Sequence, residues 1–458
     1  MFEQPPSTWR TELAATLRLA APVAAANLLQ MLIPAVDVVF VARLGEQALA
    51  ASSLGVALAG LLMWAMTGLV GAAAPLIAAE LGRRRHAVRE VRRTFRMGVW
   101  LALASGAAAM AVCAQGEAIM LLTGQDPAIA SRSGRFLSVL LWMMVPMVLS
   151  GHLRNTLSAM GRPGVATVIA AISVGVNALG NYALVFGNFG LPALGLQGSA
   201  AASVITSLAM LSGYIAAIEL DRRLRRYRLW GRWWRGERER LRQMVRIGLP
   251  IVATILAEAG LFSGAAFLMG LIGPSQLAGH TIALQVAALA FQIPFGIGQA
   301  ATIRVGYHYG AGDRDAVGRA GWVAIGLGTA FMALTASIML FAPRLVLGLY
   351  VDVEAAKNAA LIGFAVRFMV VAAAFQLFDG VQAVAGGSLR GLQDTRVPMT
   401  YALLGYWIPG LGTSIGLGFF TPLAGLGIWI GLAVGLIVVA LLMLQRWSRR
   451  ARLGLLPV

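Results

Sequence analysis

The chain has 458 residues, of which 59% are hydrophobic and 12% charged, with a formal net charge of +18. A water-soluble domain carries roughly 25% charged residues, so this sequence cannot cover a water-facing surface, and a bilayer must solvate most of it. The positive charge does not indicate nucleic acid, because the arginines sit in short loops between apolar runs and not on a folded face with aromatic platforms.

The first twelve residues, Met1 to Glu12, are polar and mixed in charge, without the basic n-region or small-residue cleavage site of a cleaved signal peptide. After them, apolar runs of about 20 residues predict helices over 14–41, 50–79, 95–115, 134–156, 164–187 and 194–219. The runs are continuous, not alternating, which favours helices over a barrel. Leu220 to Gln243 interrupts them with dense arginine and with Trp230, Trp233 and Trp234, as expected of a linker at headgroup level. A second set follows over 245–271, 279–305, 318–343, 358–386, 397–420 and 422–446. The expected fold is an all-α polytopic membrane protein with twelve transmembrane helices in two pseudo-symmetric six-helix lobes around a central cleft. The expected divisions are an N-terminal lobe over 1–219, a basic linker over 220–243, a C-terminal lobe over 244–446 and a tail over 447–458.

Arginine sets the orientation. Arg83, Arg84, Arg85, Arg89, Arg92 and Arg93 follow the second helix, and Arg222 to Arg242 follow the sixth. Arg446, Arg449, Arg450 and Arg452 end the chain, while the loops after helices 5, 7 and 11 carry no Arg or Lys. Lys357 is the only lysine. The positive-inside rule then puts both termini in the cytoplasm.

The two halves resemble each other. Leu19-Ala-Ala-Pro22 matches Ile247-Gly-Leu-Pro250, an offset of 228, which also lays Leu44-Gly45 on Ile272-Gly273. Internal symmetry of this kind marks transporter folds.

Ionisable groups at bilayer depth cost at least about 2.5 kcal/mol each on insertion scales. Most acids avoid that cost: Asp126, Asp221, Glu237, Glu239, Asp313, Asp315, Asp352 and Glu354 are expected in loops, and Glu80 and Glu219 close helices at the inner edge. Three do not. Asp37 follows Pro34, whose missing N–H frees a carbonyl one turn from a carboxylate. Glu258 is the only Arg, Lys or carboxylate from Ile247 to Ile303, so it must face a cavity, hold a cation or carry a proton. Asp379 has Phe375 one turn earlier, offering a cation an anion and a π face; Phe375 by itself also suits plain packing. Arg367 is twelve residues from Asp379, roughly 18 Å along a helix, too far for direct contact. At the 228 offset Glu258 falls on Gln30 and Asp37 on Ala265, so the carboxylates are not copies of one another and suggest different duties in the two lobes. Nearby polar candidates are Asn177 and Asn181 at i, i+4, with Ser199, Gln285 and Gln292; such amides also serve as helix–helix glue.

Four segments carry a family resemblance: Leu44-Gly-Glu-Gln-Ala-Leu-Ala-Ala51, Arg304-Val-Gly-Tyr-His-Tyr-Gly-Ala-Gly312, Leu389-Arg-Gly-Leu-Gln-Asp-Thr-Arg-Val-Pro398 and Asn177-Ala-Leu-Gly-Asn-Tyr-Ala-Leu-Val-Phe-Gly187. The chain resembles the multidrug and toxic compound extrusion (MATE) family over essentially its whole length. The resemblance implies export of organic, mainly cationic, drugs in exchange for Na⁺ or H⁺, by a monomer in the bacterial cytoplasmic (inner) membrane. It implies that Asp37, Glu258 and Asp379 couple the ion, with Glu258 and Asp379 holding Na⁺ if sodium is used, and that no cofactor or nucleic acid is needed. Asp37, Asn177, Asn181, Gln285, Phe375 and Asp379 are the expected substrate residues. All three acids together, and Asn181 where a DinF-type relative carries Asp, look like the NorM-type branch.

A lipid-linked-precursor flippase of similar layout would call for a strongly cationic cleft, whereas the expected buried charges are mostly acidic. An intramembrane enzyme would need a nucleophile or metal motif; His86, His152, His280 and His308 have no HExxH spacing, and Glu80 and His308 are expected near loops. One cysteine, Cys113, excludes an intrachain disulfide.

Overall fold

A computed structural model describes residues 8–83, 87–231, 234–353, 355 and 358–457. Arg84, Arg85, His86, Trp233, Glu354 and Lys357, all weighed above, lie outside the described residues. Every regular element among the described residues is a helix. Eleven are long and apolar enough to cross a bilayer: α1 (Trp9–Ala42), α2 (Glu46–Arg83), α3 (Ala87–Ala114), α4 (Pro127–Ala159), α5 (Pro163–Phe186), α6 (Leu196–Leu220), α7 (Arg238–Ile272), α8 (Pro274–Ala311), α9 (Arg314–Phe341), α10 (Ala359–Gly391) and, at the end of the chain, Gly425–Ser448. The twelfth span is broken into three pieces, Arg396–Gly405, a π-helical turn at Tyr406–Leu411 and Gly412–Phe419. These pieces together are α11, and Gly425–Ser448 is α12. Pro409 lies inside the π turn and lacks the N–H for an i→i−4 bond, which accounts for the local change of register.

Each of the twelve expected helices is present, and most run further than the apolar pattern. The reason is capping and charge at their ends. Asp126 accepts from the amides of Ala128 and Ile129, and Asp313 accepts from Ala316, so the spans begin where these side chains satisfy the first free N–H groups. Charged first turns, such as Arg238 and Glu239 on α7, extend the helix into the polar zone without adding to its apolar run.

By contact, the chain divides into two compact units. One comprises Ala25–Val252; the other comprises the residues up to Ala24 and those from Ala253. The divisions fall inside α1 and α7, and they lie 228 residues apart (252 against 24), the same offset as the sequence repeat. Residues 8–24 of α1 thus belong with the C-terminal helices.

In the Ala25–Val252 unit the basic stretch is built into the fold. Glu237 accepts from Arg96 at 2.7 Å and also pairs with Arg93, both on α3. Arg240 reaches Glu90 at 2.6 Å and Glu80 at 3.3 Å. Arg92 donates to the carbonyl of Tyr227, and Trp230 stands edge-on to Phe95 at 5.1 Å. Glu80 closes α2 as expected and, buried, is a member of this network, paired with Arg83 and Arg240. Charge that was counted as topogenic is therefore also structural cement.

In the other unit α8 and α10 meet backbone to backbone. A Cβ on Gly387 would fall 2.3 Å from the carbonyl oxygen of Gly298, and Thr302 donates to the Gly387 carbonyl at 2.8 Å. Only glycine allows this approach. It holds α10, with its acid, in a fixed register against α8.

Candidate functional site

Asp37 sits in the Ala25–Val252 unit, five residues before the end of α1, and is half-buried. Its Oδ1 accepts from Asn177 Nδ2 at 3.0 Å and from Asn181 Nδ2 at 2.7 Å, and its Oδ2 accepts from Ser203 Oγ at 2.9 Å. Both asparagines are fully buried, one turn apart on α5. Hydrogen bonds to a charged acceptor are roughly twice as strong as neutral ones, so three uncharged donors hold a carboxylate in place while leaving its net charge for a visiting cation. Asp37, Asn177 and Asn181, all candidates from the sequence, thus share one neighbourhood. The candidate hydroxyl of Ser199 is buried on α6, but the donor is Ser203, one turn further on.

Glu258 and Asp379 lie within range of each other's charge in the other unit. Glu258 projects from α7 and accepts a hydrogen bond from Gln382, which lies one turn beyond Asp379 on α10. Asp379 is close enough to feel the Glu258 charge, and its Oδ1 is buried without a hydrogen-bond partner. The guanidinium of Arg390 also acts on Glu258, although the pair is not among the ion pairs within 4.0 Å of the described residues. Arg390 follows Asp379 by eleven residues, three helical turns, so it lies on the same stripe of α10. Helical side chains lean toward the N-terminus, and a Cβ on the intervening Gly386 would come 3.7 Å from Arg390 Nη2. Arg390 thus runs back over a glycine toward the two acids. Tyr406, buried in the π turn of α11, completes the group; its hydroxyl and Gln382 Oε1 likewise have no partner.

Two carboxylates, an amide oxygen and a phenol oxygen make an all-oxygen donor set, the chemistry that hard cations and protons select. The unpartnered Asp379 Oδ1 and Gln382 Oε1 are the atoms such an ion would satisfy.

The remaining candidates stand apart. Phe375 is 1% exposed, edge-on to Phe262 at 6.0 Å and to Trp429 at 5.8 Å, so its ring is part of an aromatic cluster one turn from Asp379. Gln285 is exposed on α8, and Gln292 is buried and donates to the Ala288 carbonyl. Arg367 is exposed.

Several residues of consequence escaped the sequence reading. Gln382 and Arg390 share α10 with Asp379, three and eleven residues further on, so helical spacing offered a signal for both, whereas Tyr406 comes from the next helix and only the tertiary structure brings it in. Glu12, in the polar N-terminal stretch of the sequence, is buried on α1. Arg304 donates to it twice, Nε to Oε1 at 2.7 Å and Nη2 to Oε2 at 2.6 Å, and His308 stands 3.2 Å away. His308, expected near a loop, is a buried member of the last turn of α8. The signal was available: Arg304 and His308 are spaced i, i+4 inside one of the four family segments.

Comparison with known proteins agrees with this architecture. The MatE family model matches residues 22–183 and 250–414, two stretches whose starts are again 228 residues apart. A probable multidrug resistance protein NorM from Mesorhizobium japonicum is 46% identical over 98% of the chain and 96% of its own length. Its counterpart from Brucella suis is 43% identical over 96% of the chain and 94% of its own length. Among solved structures, the eukaryotic MATE transporter AtDTX14 superimposes with a TM-score of 0.84 at 20% identity, covering 98% of this chain and 100% of that one. The chain is a multi-pass membrane protein of the MatE family, a family of transporters and not of enzymes, and it stands with the NorM-type members.

Proposed function

We propose that the protein exports organic, mainly cationic, drugs and toxic compounds from the bacterial cytoplasm in exchange for inward Na⁺ or H⁺. The relatives described as multidrug resistance proteins support the drug-export half of this reading. The observation that carries the coupling half is the Glu258–Asp379 pair: two carboxylates within reach of each other's charge, on spanning helices, with an unpartnered oxygen on Asp379. Two such anions together repel, and a bound proton or Na⁺ relieves that repulsion. A ligand shifts a two-state equilibrium only by its differential affinity for the states. Neutralising the pair in one access state, and competing drug binding in the other, gives opposed fluxes.

Asp37 serves the cationic substrate, with Asn177 and Asn181 orienting it. The site in one unit and the site in the other thus divide the work, as the unequal placement of the acids suggested. The transporter acts as a monomer in the cytoplasmic membrane, with both termini inside, on small organic substrates and without a cofactor or nucleic acid.

The test is dye efflux from vesicles carrying an imposed Na⁺ or H⁺ gradient, one at a time. Glu258→Gln and Asp379→Asn are each expected to abolish gradient-driven efflux at unchanged membrane levels. Wild-type efflux in both variants would remove this mechanism.

A further inference from the structure

The Ala25–Val252 unit contains a cation whose charge the structure leaves uncompensated. Arg154 lies on α4, five residues before its end, and is half-buried. Its Nη1 donates to Asn27 Oδ1 at 3.2 Å and to Gln30 Oε1 at 2.9 Å, both on α1. These partners are neutral. They fix the guanidinium without cancelling its charge, and among the described residues no carboxylate lies within 4.0 Å of it. Two buried arginines are, by contrast, answered with acid: Arg304 with Glu12, and Arg96 with Glu237.

The donors around Arg154 are also unanswered. Arg154 Nε, Asn27 Nδ2 and the Tyr214 hydroxyl are all buried without a hydrogen-bond partner. Tyr214 is fully buried on α6, near enough to feel the Arg154 charge, and Asn27 is 5% exposed. A buried donor left unsatisfied is destabilising. Three donors, one on the guanidinium itself and one each from α1 and α6, share a single deficiency: each lacks an acceptor. A planar guanidinium binds a carboxylate through two parallel N–H···O bonds.

We propose that Arg154, with Asn27 and Tyr214, forms a subsite for the carboxylate of zwitterionic organic substrates. The inference deepens the drug-export reading and rests on it. Gln30 and Asp37 are seven residues apart on one face of α1, about 10 Å at 1.5 Å rise per residue. The same unit therefore offers an anion for the amine end of a substrate and a cation for its acid end.

The experiment uses the full-length protein in phosphatidylcholine nanodiscs and two fluorescent probes. One is a xanthene dye bearing a cationic amine and a free carboxylate; the other is its ethyl ester. Arg154→Gln is expected to weaken binding of the acid at least tenfold and of the ester less than twofold, and Tyr214→Phe to weaken only the acid, severalfold. Equal losses for both dyes, or none for either, overturn the proposal. A loss of acid binding seen only when anionic lipid is added identifies a headgroup as the occupant and also overturns it. Tyr214→Phe keeps the packing volume, so it carries the test should Arg154→Gln not give a monodisperse protein. If the wild type binds neither dye, the drug-export reading fails first; if it binds both and the variants change nothing, the carboxylate subsite alone fails.

Discussion

Removing Glu12 tests the most deeply buried ion pair among the described residues. Its side chain and that of Arg304 are 0% and 1% exposed, joined by two charge-assisted hydrogen bonds of 2.7 and 2.6 Å. Taking one partner out of a buried pair leaves an uncompensated charge, which costs about 3–5 kcal/mol. Glu12→Ala should therefore lower the melting temperature of the purified transporter markedly, whereas Arg10→Ala, two residues earlier and exposed, should leave it unchanged. Replacing both partners by apolar residues of similar volume removes the stranded charge. Glu12→Leu combined with Arg304→Met should thus recover much of the loss that either change causes alone, and a thermal-shift double-mutant cycle measures that recovery. The same cycle reports whether residues 8–24 are held to the C-terminal helices by this pair. Single variants that melt with the wild type, or a double variant that loses the full sum of the two, would refute the reasoning.

Two further outcomes follow from the packing and from the Asp37 site. Gly387→Val places a Cβ 2.3 Å from the Gly298 carbonyl oxygen; overpacking of this kind costs about 1–3 kcal/mol or more, and membrane levels and melting temperature should both fall, while Gly363→Val, in open space on the same helix, should be tolerated. Asn181→Leu removes the shorter of the two amide bonds to Asp37; a hydrogen bond to a charged group contributes about 1.5–3 kcal/mol, so the carboxylate loses its orientation. Efflux of cationic dye should drop while expression holds, and an unchanged efflux rate would show that Asn181 serves packing alone.

The helix count was legible because a spanning segment must be both apolar and long, and neither property depends on neighbours. The twelfth span was legible for the same reason, although Pro409 breaks its hydrogen-bond register. The helix ends were less so: Glu12 and Glu80 stand outside or at the rim of the apolar runs, and only a partner on another helix turns such residues into core. Asn177 and Asn181 were readable from their i, i+4 spacing, and Asp37 from its cost in oil. Ser203 in place of Ser199 was not, because a shift of one turn along α6 keeps the same face.

What the sequence determined by itself is the solvent, the number of spans, the 228-residue repeat and the identity of three acids that water does not cover. These are one-dimensional properties, set by the cost of charge in hydrocarbon and by chain length. Tertiary structure alone decided the partners. It set Glu258 beside Asp379 and ran Arg390 back over Gly386. It also divided the chain within α1 and α7 and left Arg154 with amides where Arg304 and Arg96 have acids. Which charge compensates which depends on helix register and crossing, and those are fixed by close backbone contacts such as Gly298 on Gly387, between residues far apart in the chain.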